Sequence, residues 1–263
     1  MIRVNGTPLD NPALGWIFRS GSVPYSGLEA SIIDLRVAGR DGLVPVPATL
    51  GAPVWPLKVN TPPSGWEPLL ALFSAQELVL TRTDRPTIEA RARLRGSSPD
   101  RVFARNEWID ATFLVEITEA YWRDKATTTT PITPLTSAAV ELSVFSGGSA
   151  PVSDAMIRIQ GATTGVRVTD ASGAWVTLPD CAAGQYVRFE SKTGQCFRTT
   201  TDTWVGGTEI SGLVDFGGPR GNFEITPVLA VGDPTTRVGK LTVTSATRAS
   251  SSVAVRGKAA YIL

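Results

Sequence analysis

Apolar and polar residues alternate with a period of two through most of this chain, and that period belongs to strands. The cleanest case runs from Ile88 to Arg95. Ile88, Ala90, Ala92 and Leu94 fall on one face, and Glu89, Arg91, Arg93 and Arg95 on the other. Glu77–Thr81 and Ala111–Ile117 read as further strands, and Ile2–Val4 leads into a turn at Asn5–Pro8. Leu28–Val37 is a strand whose alternation breaks at Ile32-Ile33, as at a bulge. Asp41-Gly42 then supplies the positive φ of a tight turn and a return segment follows. Pro45, Pro47, Pro53 and Pro56 argue against a central strand, so that stretch is expected to be a loop or arm anchored by Trp55 and Leu57. One short helix is expected, with Ser64 as its cap, Glu67 three residues on and Pro68 in the first turn. Leu69, Leu70, Leu72 and Phe73 give it an apolar side.

The alternation stops at Glu119–Thr136, EAYWRDKATTTTPITPLT. A run of four Thr followed by two closely spaced Pro neither forms a helix nor buries a core. It divides the chain into residues 1–126, a Thr/Pro linker at 127–136, and residues 137–263. Short strands between turn signals fill the second half. They are Val140–Phe145, Ala155–Gln160, Val166–Thr169, Ala174–Leu178, Tyr186–Glu190, Cys196–Thr200, Glu209–Ile210, Asn222–Pro227, Lys240–Thr244 and Ser252–Val255. Turns fall at Asp170–Gly173, Lys192–Gly194 and Gly217–Pro219, and this spacing argues for a β-sandwich. The expected fold is therefore mainly β, a β-rich first domain with one short helix and a sandwich second.

Composition narrows the function. Of the 263 residues 42% are hydrophobic, enough for two cores, and the net charge is +1. Residues 1–130 carry 14 basic and 14 acidic groups and the remainder 11 and 10, so specific nucleic-acid binding is not expected. Histidine is absent, which removes Ser-His-Asp and Cys-His nucleophiles and every His-ligated metal site. Cys181 and Cys196 match no zinc or redox spacing; they read as a disulfide or, more plainly, as two buried free thiols. No signal-peptide pattern opens the chain and no run approaches a membrane span, so no membrane insertion is expected and synthesis is expected in a cytoplasm. No cofactor motif is present.

Few residues carry candidate chemistry. Arg91, Arg93 and Arg95 form a cationic stripe that fits a solvated face, acidic groups of a neighbouring subunit, or phosphate. Tyr121-Trp122 at a strand end reads as a surface pair that plugs one end of the domain or anchors a protein interface. Trp175 and Trp204 are stacking platforms for a sugar ring or core residues. Asp202, Glu209 and Asp215 lie near one another in sequence, but nothing sets two of them across a cleft, so a carboxylate-only hydrolase is not expected.

Three features in order carry a family resemblance: the Arg36–Gly42 turn (RVAGRDG) after an early strand, the alternating Glu89–Arg95 strand, and the Phe113–Asp124 strand that closes in Tyr-Trp-Arg-Asp. Together they resemble the N-terminal domain of the distal tail proteins (Dit) of long non-contractile-tailed bacteriophages, over about residues 1–126. This chain has Glu119-Ala120 before Tyr121 where many relatives carry an Asp-Pro-like pair. The second half resembles, in size and strand density, the galectin-like sandwich of the same family. The resemblance implies a split-barrel-like first domain, and a virion protein at the tail tip that forms a homohexameric ring. Its implied partners are the tail-tube protein, a tail-tip hub protein and the end of the tape measure. The alternative is a module that binds host-surface carbohydrate or a receptor-binding protein through the sandwich.

Overall fold

The period-two alternation becomes two separate sets of strands. The structure, a computed structural model, describes residues 1–19, 30–31, 34–35, 44–45, 49–101 and 108–262. The chain divides into two compact units, Met1–Lys125 and Ala126–Tyr261. The fold is mainly β, with one α-helix among the described residues.

In the first unit one antiparallel sheet runs Thr7–Pro8, Ile2–Val4, Leu78–Arg82, Ile88–Arg101, Ile109–Ile117, Val54–Thr61, Ile17–Phe18, and Trp122–Asp124 also pairs with Ile88–Arg101. Its inner face buries Val4, Leu57, Val59, Leu78, Leu80, Ala90, Phe113 and Val115. The helix Pro63–Phe73 lies over that face through Leu69 and Phe73, and Phe73 stacks on Phe113 with ring centroids 4.0 Å apart. Gly65 makes the close approach possible, because a Cβ there would lie 2.3 Å from Thr61 Oγ1 and 2.6 Å from the Leu14 carbonyl. The Trp16 indole N–H donates to the Gly65 carbonyl at 2.9 Å. Pro62, and not Ser64, is the cap residue, and Pro63 occupies the first turn.

The proline-rich stretch differs from the loop expected of it. Val54–Thr61 is an eight-residue strand with Trp55, Leu57, Val59 and Thr61 buried. The Ile117 N–H bonds to the Pro53 carbonyl, so alternate residues from Pro53 onward aim their backbone at the Ile109–Ile117 strand. Pro56 is out of phase with them and, like Lys58, whose carbonyl accepts from the Arg19 N–H at 3.0 Å, faces the outer edge. No ladder bond is lost there, which is where a sheet tolerates proline. The expected hairpin around residues 28–50 is described at two points, Ala30–Ser31 against Thr49–Leu50 and Asp34–Leu35 against Val44–Pro45. Its turn at Arg36–Gly42 lies outside the described residues.

The second unit has two antiparallel sheets. One runs Thr247–Gly257, Met156–Thr164, Tyr186–Glu190, Gln195–Thr199, Thr208–Glu209. The other runs Ala139–Val144, Asp233–Thr244, Val166–Asp170, Trp175–Leu178, Asp215–Gly217, and Pro227–Ala230 also pairs with Asp233–Thr244. Ile157, Ile159, Val187, Phe189, Val253 and Val255 of the first sheet are buried, as are Val166, Val168, Val176, Leu241 and Val243 of the second. Phe189 of the first lies 5.7 Å from Phe216 of the second, so the inner faces meet and the unit is a sandwich.

Two expectations for this unit change. Asn222–Pro227 is not a strand; the ladder begins at Pro227, and Phe223 and Ile225 are buried by packing, with one bridge from Ile225 to Val152. Within the stretch read as a linker, Thr128–Thr129 pairs with Arg256–Gly257 and Thr133–Pro134 with Ser252–Val253. The Thr130 N–H bonds to the Val255 carbonyl at 2.8 Å, the Leu135 N–H to that of Ser251 at 2.9 Å, and the Leu135 side chain is buried. A run too polar for a core thus lies along the outer edge of a sheet as two short strands, because extended Thr and Pro suit an edge.

Candidate interaction surfaces

The cationic stripe sits on the outer face of the Ile88–Arg101 strand, with Arg91, Arg93 and Arg95 all exposed. Arg91 pairs with Glu77 at 2.6 Å. Glu116 lies directly across the ladder from Arg93 and pairs with both Arg93 and Arg95, the latter at 3.4 Å. The Arg93 guanidinium holds the Glu116 carboxyl below the usual carboxylate range. Three guanidiniums therefore share two carboxylates, Glu77 and Glu116. The register passes from Leu94 opposite Val115 to Gly96 opposite Leu114, so Arg95 is the extra residue of a β-bulge. It is released from the ladder and makes the longer of the two contacts to Glu116.

Tyr121 and Trp122 do not form a surface pair. Trp122 begins a short strand, Trp122–Asp124, that pairs with Ile88–Glu89 and turns the indole inward. It is 1% exposed, with its ring 5.5 Å from that of Trp55, and is a core residue. Tyr121 is half-buried. The turn before it places Ala120 at φ 60°, and Glu119 reaches forward to Arg123 at 2.8 Å, one turn's length away. Glu119-Ala120 thereby builds the corner that precedes the strand.

In the second unit the two tryptophans differ. Trp175 is half-buried on the outer face of its sheet, with Arg167 4.1 Å from the ring centre and Gly217 opposite it in register. Trp204 belongs to the loop Thr200–Gly207, which is held down by two arginines that the sequence reading passed over. Arg158 and Arg188 face each other across the ladder and are 5% and 2% exposed. They alternate with the inward residues Ile157, Ile159, Val187 and Phe189, so they lie on the outer face beneath the loop. Arg158 pairs with Asp202, donates to the Thr203 carbonyl at 3.4 Å, and lies 4.4 Å from the Trp204 ring centre. Arg188 donates to the Gly206 carbonyl at 3.0 Å and pairs with Glu190 at 3.0 Å. Beside the loop is a groove of about 290 Å³, bounded by Trp204, Met156, Glu190, Lys192, Arg256 and Lys258 among others.

Of the carboxylates weighed for hydrolysis, Asp215 is exposed on the strand Asp215–Gly217 and the other two have partners. Asp202 is held by Arg158, and Glu209 accepts from Ser211 Oγ at 2.9 Å. Cys181 and Cys196 are free and buried, and burial pushes both thiols up, that of Cys196 to about 12. Among the described residues no group of three His, Cys, Asp or Glu is placed to hold a metal, and no helix is long and apolar enough to cross a membrane.

No family model matches the sequence, and no curated protein matches it. Solved structures do. The crystal structure of SPP1 Dit, presented as a paradigm of the hub adsorption apparatus in phages that infect Gram-positive bacteria, aligns over 99% of this chain and 98% of its own. The TM-score is 0.60 at 12% identity. The chain has the SPP1 Dit fold. The likeness to SPP1 Dit spans both units, from the first strand to the last. The phage P2 baseplate in its activated conformation, with Ca and with Sr, aligns over 93% of this chain and 91% of the matched chain in each case. Those two alignments have TM-scores of 0.37 and 0.38 at 12% and 11% identity.

Proposed function

We propose that this chain is a structural virion protein, a ring-forming adaptor at the distal end of a phage tail that joins the tail tube to the tail-tip apparatus. The observation that carries the reading is the full-length likeness to SPP1 Dit, a protein of a phage adsorption hub. The first unit supports it. Among the described residues Gly96–Arg101 pairs on one side only, with Ile109–Leu114. Among the described residues the outer edge of Val54–Thr61 is covered only from Lys58 to Asn60, by Ile17–Phe18 and the Arg19 N–H. Two edges open among the described residues suit a head-to-tail contact that closes into a ring of copies. Arg93 and Arg95, with one carboxylate between them, meet acidic groups of the neighbouring copy beside that edge. The partners on this reading are five further copies, the tail tube, the hub and the tape-measure end, with assembly in the host cytoplasm.

Light scattering and negative-stain microscopy of the purified chain test it. The expected result is a ring whose mass is six times the 27.9 kDa chain. The double change Arg93→Gln with Arg95→Gln is expected to reduce that mass; the amides leave the buried Glu116 with hydrogen-bond donors, and a thermal melt checks that the chain stays folded. A purified chain that stays monomeric at all concentrations sinks the adaptor reading. An unchanged ring mass in the double variant sinks the role of the stripe.

A further inference from the structure

The geometry points to the groove beside Trp204 as a binding site for a sugar ring that carries an anionic substituent. The inference goes beyond the adaptor reading and does not depend on it. A buried guanidinium is costly unless it is paired, and arginine is seldom fully buried. Here two are spent beneath one short surface loop. Between them they fix Asp202, the Thr203 and Gly206 carbonyls and the Trp204 ring. The effect is to hold an aromatic wall in place before any ligand arrives, and preorganisation of that kind lowers the cost of binding.

The groove's size and lining select the ligand. About 290 Å³ lies at the small end of the range for small-molecule sites, room for a ring or two and too little for a folded segment. Trp204 and Met156 give it apolar surface on which the C–H face of a sugar can rest. Charge supplies the second selection. Lys192 and Arg256 line the groove, with Arg158 and Arg188 behind it, while Lys258 and Asp154, also in the lining, offset each other. Against these four cations stand two carboxylates, Glu190 in the lining and Asp202 in the loop. Glu190 and Asp202 are each paired with one of the buried arginines. The surplus is positive, and Lys192 is exposed at the rim. An aromatic face beside excess positive charge suits a hexose bearing a phosphate or a carboxylate better than a neutral sugar.

The test uses the intact chain with glucose 6-phosphate, glucuronate, glucose, inorganic phosphate and a short polyglutamate peptide, read by NMR titration. The expected result is saturable binding of both charged sugars, at least about tenfold tighter than glucose. Binding of one charged sugar alone identifies which anionic group the site takes. Trp204→Ala is expected to weaken charged-sugar binding by about tenfold or more. Because that change could loosen the loop, Lys192→Gln is the second variant. It lies at the rim, should leave the melting temperature unchanged, and should weaken the charged sugars about threefold while leaving glucose alone. Absence of saturable binding overturns the proposal. So does glucose binding equal to that of the charged sugars, phosphate alone equal to glucose 6-phosphate, or a polyglutamate peptide that binds more tightly than either sugar. None of these outcomes alters the ring mass, so failure here is separable from failure of the adaptor reading.

Discussion

Two buried carboxyls give the second unit a response to acid. Asp170 accepts from the Ser172 N–H at 2.8 Å, and Glu224 accepts from Arg220 at 2.9 Å. Burial raises both above the ordinary carboxylate range, and the charge of Asp170 adds to the rise at Glu224. A carboxyl whose folded-state value is raised binds its proton more tightly when folded than when unfolded. It therefore costs stability above the folded value, and that cost disappears as pH falls below it. Glu224→Gln keeps an acceptor for Arg220 and removes the buried charge. It is expected to be at least as stable as the parent at pH 7, with a gain on the order of 1 kcal/mol that shrinks toward pH 4.5. Denaturant melts at several pH values check this; a variant destabilised equally at every pH contradicts it. Little of this was legible residue by residue. Asp170 was visible as a turn residue, but the Thr226 N–H that also donates to its carboxylate lies 56 positions away. Trp122 likewise read as a surface aromatic, because the ring that covers it, Trp55, is remote in sequence.

At the scale of elements the helix Pro63–Phe73 rests on one glycine. Helix propensity alone favours alanine over glycine by about 1 kcal/mol. Overpacking costs about 1–3 kcal/mol, and here the atoms met by a Cβ include a backbone carbonyl that cannot swing aside. The overpacking wins, so Gly65→Ala is expected to destabilise the first unit by about 1–2 kcal/mol. A thermal melt that shows a gain would mean the helix can shift away from Thr61 and Leu14. The Ile88–Arg95 alternation was legible because one side of that sheet is buried and the other wet, which writes the period directly into the residues. The Val54–Thr61 strand was hidden by Pro56. A proline reads as a breaker unless the direction of its backbone is known, and that direction is set by which side carries the partner strand. The outer-face arginines followed the alternation too, yet nothing near Arg158 announces that residues 200–207 fold over it.

The whole molecule is nearly neutral, with a net charge of +1 and an even balance on either side of residue 130. On the adaptor reading, a ring of such chains would be held by local matches of charge and strand edge, and not by a global field. Exposed pairs are screened over about 3 Å in 1 M salt. If Arg93 and Arg95 bridge neighbouring copies, raising NaCl to about 1 M is expected to shift the ring toward smaller species, while the melting of each unit changes little. Sedimentation in low and high salt measures this. A ring indifferent to salt would assign closure to backbone pairing alone.

The Thr/Pro strand has a consequence for how copies of this chain can crowd together. Thr130 and Leu135 aim their N–H groups inward at the Thr247–Gly257 strand. Their neighbours Pro131 and Pro134 therefore turn outward, and neither has a hydrogen to offer. The sheet ends in a border with donors missing at two positions within four residues, which another strand cannot continue. On that side the second unit is sealed against fusion with its own kind, so copies gathered at high local concentration can sit side by side without their sheets growing into one another.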